Sequence, residues 1–160
     1  MELKFYMQIH EFTQQLTQPQ SNNLTIILNQ ENNKEIIPIL EKNIKNLKII
    51  DLGKLLPKVI LDDTPSISIE EILSDFMCNE KSDFFLITNS GILFDVSLSL
   101  NPLGLFKKLS IKRKLIVLWY GKKNNNQLTY ARQGHLEYDN GKYIISTIDA
   151  WVTDLDDALP

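Results

Sequence analysis

The sequence predicts an α/β protein: a parallel sheet of about four strands flanked by helices, with a β-hairpin toward the C-terminus. Two observations carry this. Four short blocks rich in branched apolar residues, Leu24 to Leu28, Leu47 to Leu52, Phe84 to Thr88 and Leu115 to Trp119, do not alternate between apolar and polar. Strands of that kind bury both faces, as parallel strands covered by helices do. Between the blocks lie segments with apolar residues at helical spacing, and strands alternating with helices imply right-handed crossovers in one sheet.

The elements follow in chain order. Phe5, Ile9, Phe12 and Leu16 place one apolar stripe on an N-terminal helix, which the Gln, Asn and Pro run from Gln18 to Asn23 ends. After the first strand, Ile36, Ile37, Leu40 and Ile44 give a helix over Asn33 to Asn46, where Pro38 is tolerated only near the first turn. Ser68 and Glu71 form a capping-box pair ahead of a buried stripe of Ile69, Ile72, Leu73 and Phe76. Asn101 as cap and Pro102 at the first helical position begin another helix, with Leu103, Leu105, Phe106 and Leu109 turned inward. Beyond Trp119 the pattern changes: Gly121 to Gln127 reads as a polar loop. Leu128 to Tyr130 and Tyr143 to Ile148 read as two strands joined through Asp139, Asn140 and Gly141. Asp149 to Pro160 carries four Asp and no base, a short acidic tail in which Trp151 and Val152 favour docking.

The chain's 160 residues and 18.5 kDa fit one domain, residues 1 to 160. With 43% hydrophobic and 23% charged residues it has material for a core and no bias toward disorder. A net charge of -3 argues against coating nucleic acid by bulk charge. The single cysteine, Cys78, with only His10 and His135 beside it, assembles neither a disulfide nor a metal-ligand cluster by spacing. Met1 to Tyr6 lacks the apolar run of a signal peptide, and no stretch approaches the roughly 20 apolar residues of a membrane span. The expected compartment is the cytoplasm, with no membrane partner.

A nucleotide-binding α/β protein places its phosphate loop after the first strand. On the pattern GxxxxGK[ST], Lys34 falls on the lysine, but Leu28 and Asn33 replace the glycines and Glu35 replaces the hydroxyl residue. Glycines let backbone amides wrap a phosphate, whereas Glu31 and Glu35 place negative charge beside an anionic ligand. Lys34 then reads as a solvated first-turn lysine, with ATP and magnesium as the alternative cofactor reading. The third strand ends in Thr88 where a nucleotide hydrolase keeps a magnesium-holding Asp.

Residues 91 to 138 carry a resemblance. The phrases Leu93-Phe94-Asp95-Val96-Ser97-Leu98-Ser99-Leu100-Asn101-Pro102-Leu103, Lys107-Lys108-Leu109-Ser110, Trp119-Tyr120-Gly121, Leu128-Thr129-Tyr130-Ala131 and His135-Leu136-Glu137-Tyr138 resemble the BrxF family, small P-loop proteins of type 3 bacteriophage exclusion (BREX) systems. The resemblance implies a P-loop NTPase-like fold, an anti-phage defence setting and other defence subunits as partners. In the register set by Phe94-Asp95, the family's Walker B carboxylate falls on Thr88 and a following acidic position on Gly91. Scaffold kept and phosphate chemistry lost together predict a non-hydrolytic accessory or adaptor subunit without catalytic residues. The alternatives are an ATP-binding or ATPase subunit with an unorthodox loop, and a small DNA-binding module.

The DNA-binding alternative rests on Lys107, Lys108, Lys112, Arg113, Lys114, Lys122 and Lys123, seven of the chain's 17 basic residues, uninterrupted by an acid. Such a run meets phosphate backbone or an acidic protein surface, with Trp119, Tyr120 and Tyr130 near in sequence for stacking. The blander reading is a solvated helix end whose cations complement the helix's carbonyl terminus. His135 and Glu137 share a strand face, yet no nucleophile is marked out for them, and a surface or hairpin histidine is the expectation. A homo-oligomer is a further partner reading of the sequence.

Overall fold

The computed structural model describes residues 11, 13–16, 23–28, 33–61, 69–94, 101–119, 121–124, 127–130, 143–144 and 150–154. Its strands and helices are β1 (Leu24–Leu28), α1 (Asn33–Asn43), β2 (Leu47–Asp51), α2 (Leu52–Leu61), α3 (Ile69–Asn79), β3 (Phe84–Thr88), a 3-10 turn (Ser90–Phe94), α4 (Pro102–Leu109), β4 (Lys114–Trp119), β5 (Gly121–Asn124), β6 (Gln127–Tyr130), β7 (Tyr143–Ile144) and β8 (Ala150–Asp154). Residues 11 and 13–16 are helical, part of the expected N-terminal helix, whose remainder lies outside the described residues. Ser68 of the capping box and the Asp139 to Gly141 turn also lie outside them.

The fold is α/β, with a parallel sheet flanked by helices. Its order is β2-β3-β4-β1-β8, and every pairing in it is parallel. Five strands stand where the sequence reading expects about four: the segment read as an acidic tail contains β8, which pairs with β1 from Leu24↔Ala150 to Leu28↔Asp154. The segment read as a polar loop contains β5, antiparallel to β6, and β6 pairs in turn with β7 through Leu128↔Tyr143.

Side chains alternate across a strand, so each strand feeds both faces of the sheet. One face carries Ile27, Leu86, Ile116 and Leu118 beneath Leu16 and the Ile36, Leu40 and Ile44 stripe of α1. The other carries Ile26, Phe85, Ile87, Val117 and Trp119 beneath α2, α3 and α4. This division follows from handedness. The chain moves from β1 to the far edge through α1 and returns toward β1 through α2 to α4. Right-handed crossovers in opposite directions must lie on opposite faces.

Local chemistry sets the boundaries. Asn101 Oδ1 accepts from the Gly104 amide at 3.2 Å and Pro102 occupies the first helical position, as the sequence predicts for α4. The turn from α1 to β2 passes through Asn46 at φ 59, a conformation Asn tolerates better than most residues. Pro38 lies in the second turn of α1, beyond the first-turn position the sequence reading allows it. It is exposed, and it removes the amide that would bond the Lys34 carbonyl. The block read as Leu47 to Leu52 gives up its last residue: Leu52 is buried as the first residue of α2, a helix the sequence reading lacks.

Candidate functional site

In an open parallel sheet, ligands bind outside the carboxyl ends of the strands, where neighbouring strands send their chains to opposite faces. Here β1 leads into α1 on one face and β3 leads toward α4 on the other, with β4 between them. The candidate site is therefore this carboxyl edge. Lys34 is the second residue of α1, the first helix after β1.

The far half of the edge is built around one carboxylate. Asp51 ends β2 opposite Thr88, the last residue of β3. As the residue before α2, Asp51 caps that helix: its Oδ1 accepts from the Gly53 amide at 2.9 Å. The same oxygen accepts from Asn89 Nδ2 at 2.7 Å. Asn89 reaches it because the chain turns off β3 with φ 56, a left-handed conformation that Asn adopts more readily than most residues. The approach is close at Gly53, where a Cβ would stand 3.2 Å from Asp51 Oδ1 and 3.3 Å from Asn89 Nδ2, so those side chains would have to give by a few tenths of an ångström.

Beside this lock, Thr88 is buried, and the hydroxyl of buried Ser90 donates to the Leu118 carbonyl at 3.0 Å. Ser90 thereby ties the 3-10 turn to β4. The described edge thus presents a threonine at the end of β3, a serine bonded inward and a carboxylate already holding two donors. Such a set positions backbone and supplies neither a free base nor a nucleophile with its base. Among the described residues no three of His, Cys, Asp or Glu come together as a metal site. His135 and Glu137 lie outside the described residues.

Comparison with protein-family models, with curated proteins and with solved structures finds no match.

The basic run divides between the two ends of the sheet. Lys107, Lys108, Lys112, Arg113 and Lys114 gather at the amino edge, on the last turn of α4, the connection to β4 and its first residue. Lys122 and Lys123 lie in β5, past the opposite end of β4, a strand of about 17 Å. The five at the amino edge differ in role. Lys107 and Lys112 are exposed, and Lys108 pairs with Glu70 of α3 at 3.5 Å. Arg113 is half-buried. Its Nη1 donates to the carbonyls of Glu80 at 2.8 Å and Ser82 at 2.6 Å, and its guanidinium stands 5.6 Å from the Phe85 ring centre. Lys114 donates from Nζ to the Leu16 carbonyl at 3.1 Å, and burial pushes its pKa below the usual lysine range.

Arg113 and Lys114 therefore stitch secondary structure together, a role that sequence adjacency to the other lysines concealed. The signal that could have separated them is position: they flank the start of a strand whose every later residue is apolar. Asp51 and Asn89 escaped the sequence reading because their pairing spans 38 residues. No helix among the described residues is long and apolar enough to cross a membrane.

Proposed function

We propose that this chain is a non-hydrolytic, P-loop-like accessory or adaptor subunit of a prokaryotic anti-phage defence system of the BREX type. The supporting observation is the combination at the carboxyl edge: β1 is followed by α1 with Lys34 in its first turn, while β3 ends in buried Thr88 and the nearby carboxylate of Asp51 serves as a helix cap. A strand followed by a helix, beside a third strand without the acidic end that would hold magnesium, supports a P-loop-like scaffold that lacks phosphate chemistry. The sequence phrases between residues 91 and 138 supply the defence setting.

The test is phage plaquing on cells carrying a complete defence locus, paired with calorimetry of ATP and magnesium on the purified chain. Deletion of this chain should abolish protection, and Lys34→Ala should preserve it, with no saturable ATP binding in either form. Unchanged protection on deletion would end the adaptor reading. Low-micromolar ATP binding that Lys34→Ala removes, together with lost protection, would replace it with the ATP-dependent one.

A further inference from the structure

A groove of about 350 Å³ opens at the amino edge of the sheet, between α3 and the connection from α4 to β4. Met77, Leu109 and Ile111 give it an apolar lining, and three cations line it: exposed Lys112, Arg113 beside the Glu80 and Ser82 carbonyls, and Lys108, which pairs with Glu70 of α3. Leu109 and Met77 belong to the core, but Ile111 is 69% exposed, the one large hydrophobic residue left so open among the described residues. An apolar slot with a cationic rim fits a short acidic segment that carries an apolar anchor.

The chain carries such a segment. After β8, Asp154-Leu155-Asp156-Asp157-Ala158-Leu159 places three acids around two leucines with no base. It cannot fill the groove of its own molecule. Asp154 pairs with Leu28, which pairs with Trp119, so β8 ends at the carboxyl edge of the sheet. The groove lies beyond the other end of β4, about 17 Å along the strand direction, and two strand spacings to the side add roughly 10 Å. Leu155 to Leu159 extend at most about 18 Å from Asp154, short of the roughly 20 Å straight line that those two offsets make. This segment reaches such a groove only on a different molecule.

We infer that the amino-edge groove is the docking site for the Leu155–Leu159 segment of a second copy of this chain. The contact is head-to-tail, carboxyl edge of one copy to amino edge of the next, so repeated contacts build a ring if the rotation closes and a filament if it does not. The inference rests on groove geometry and charge and stands apart from the defence reading. Its test uses the purified chain alone, so either can fail without the other.

Sedimentation velocity over a wide concentration range should show the average mass rising with concentration and falling with added salt, which screens the rim charges. Ile111→Glu and Lys112→Glu each alter an exposed side chain and should weaken self-association about tenfold while leaving the urea midpoint in place. Asp156→Lys should do the same from the other side of the contact. Mixing Lys112→Glu chains with Asp156→Lys chains should restore association between the two, since the reversed charges meet again. A chain that stays monomeric throughout would overturn the inference, even if it binds an acidic segment of another protein. Self-association that survives Ile111→Glu, or a charge-reversed pair that associates no better than either variant alone, would also overturn it.

Discussion

The lock at the carboxyl edge makes a quantitative claim about two residues 38 positions apart. Asp51 Oδ1 holds the Gly53 amide at 2.9 Å and Asn89 Nδ2 at 2.7 Å. Replacing Asp51 by Ala removes a helix cap worth about 1 kcal/mol and a hydrogen bond worth about 0.5 to 1.5 kcal/mol. The expected loss is roughly 1.5 to 2.5 kcal/mol on those two terms. At position 89 two effects separate. Asn89→Ala loses the bond and puts a β-carbon residue at φ 56 without the local bonding that makes Asn tolerable there. Asn89→Gly loses the same bond but carries no left-handed penalty, which is about 1 kcal/mol or more for ordinary residues. Glycine should therefore be the milder change by about 1 kcal/mol, in spite of its looser unfolded chain. Urea unfolding followed by far-ultraviolet dichroism and by the fluorescence of buried Trp119 measures each variant, and the Asp51→Ala, Asn89→Ala double variant closes the cycle. Coupling near zero, or glycine costing as much as alanine, would refute the lock as described.

Two further outcomes follow from the core and from Lys114. Leu118 is 4% exposed and packs beneath α1, so Leu118→Ala should cost on the order of 2 to 5 kcal/mol. A loss under about 1 kcal/mol in urea unfolding would contradict that packing. Burial lowers the pKa of Lys114 from its ordinary 10.5, so between the lowered value and 10.5 the unfolded chain binds more protons than the folded one. Stability contributed by this group must then rise with pH through that window. The stability of the wild type relative to Lys114→Met should increase as pH is raised toward 10.5, and a flat or falling difference would refute the sign.

The central strands were legible because residues buried on both faces leave an apolar run: β3 up to Thr88, β4 after Lys114, and β1 with only buried Thr25 inside it. The start of α4 was legible because Asn101 and Pro102 are local signals with a local cause. Elements whose cause is distant were not. α2 follows β2 without a connecting residue, and its Gly53 and Pro57 read as breakers. Gly53 lies against the Asp51 and Asn89 side chains, and Pro57 sits inside the helix. β5 is a Lys and Asn stretch whose strand character comes from pairing with β6. β8 alternates little that marks it as sheet, and only its neighbour β1 defines it. At the candidate site the end of β3 at Thr88 was legible from the sequence. The commitment of Asp51, Arg113 and Lys114 to structural bonds depends on partners between 31 and 98 residues away: 51 to 89, 113 to 82 and 80, 114 to 16.

The pairing of β8 with β1 has a consequence for synthesis. Leu24 is made 126 residues before Ala150, its partner in the finished sheet, by the difference of their positions. Until residues 150 to 154 have left the ribosome, β1 has a bare flank: five residues, Leu-Thr-Ile-Ile-Leu, all buried in the finished protein, with backbone amides and carbonyls open to any passing extended chain. Parallel pairing at such separation is slow to form, and unpaired apolar flanks are where nascent chains stick to one another. A message cut short before residue 150 would therefore release a chain with most of its core and an open, adhesive edge. Chaperone demand should fall when the last strand arrives.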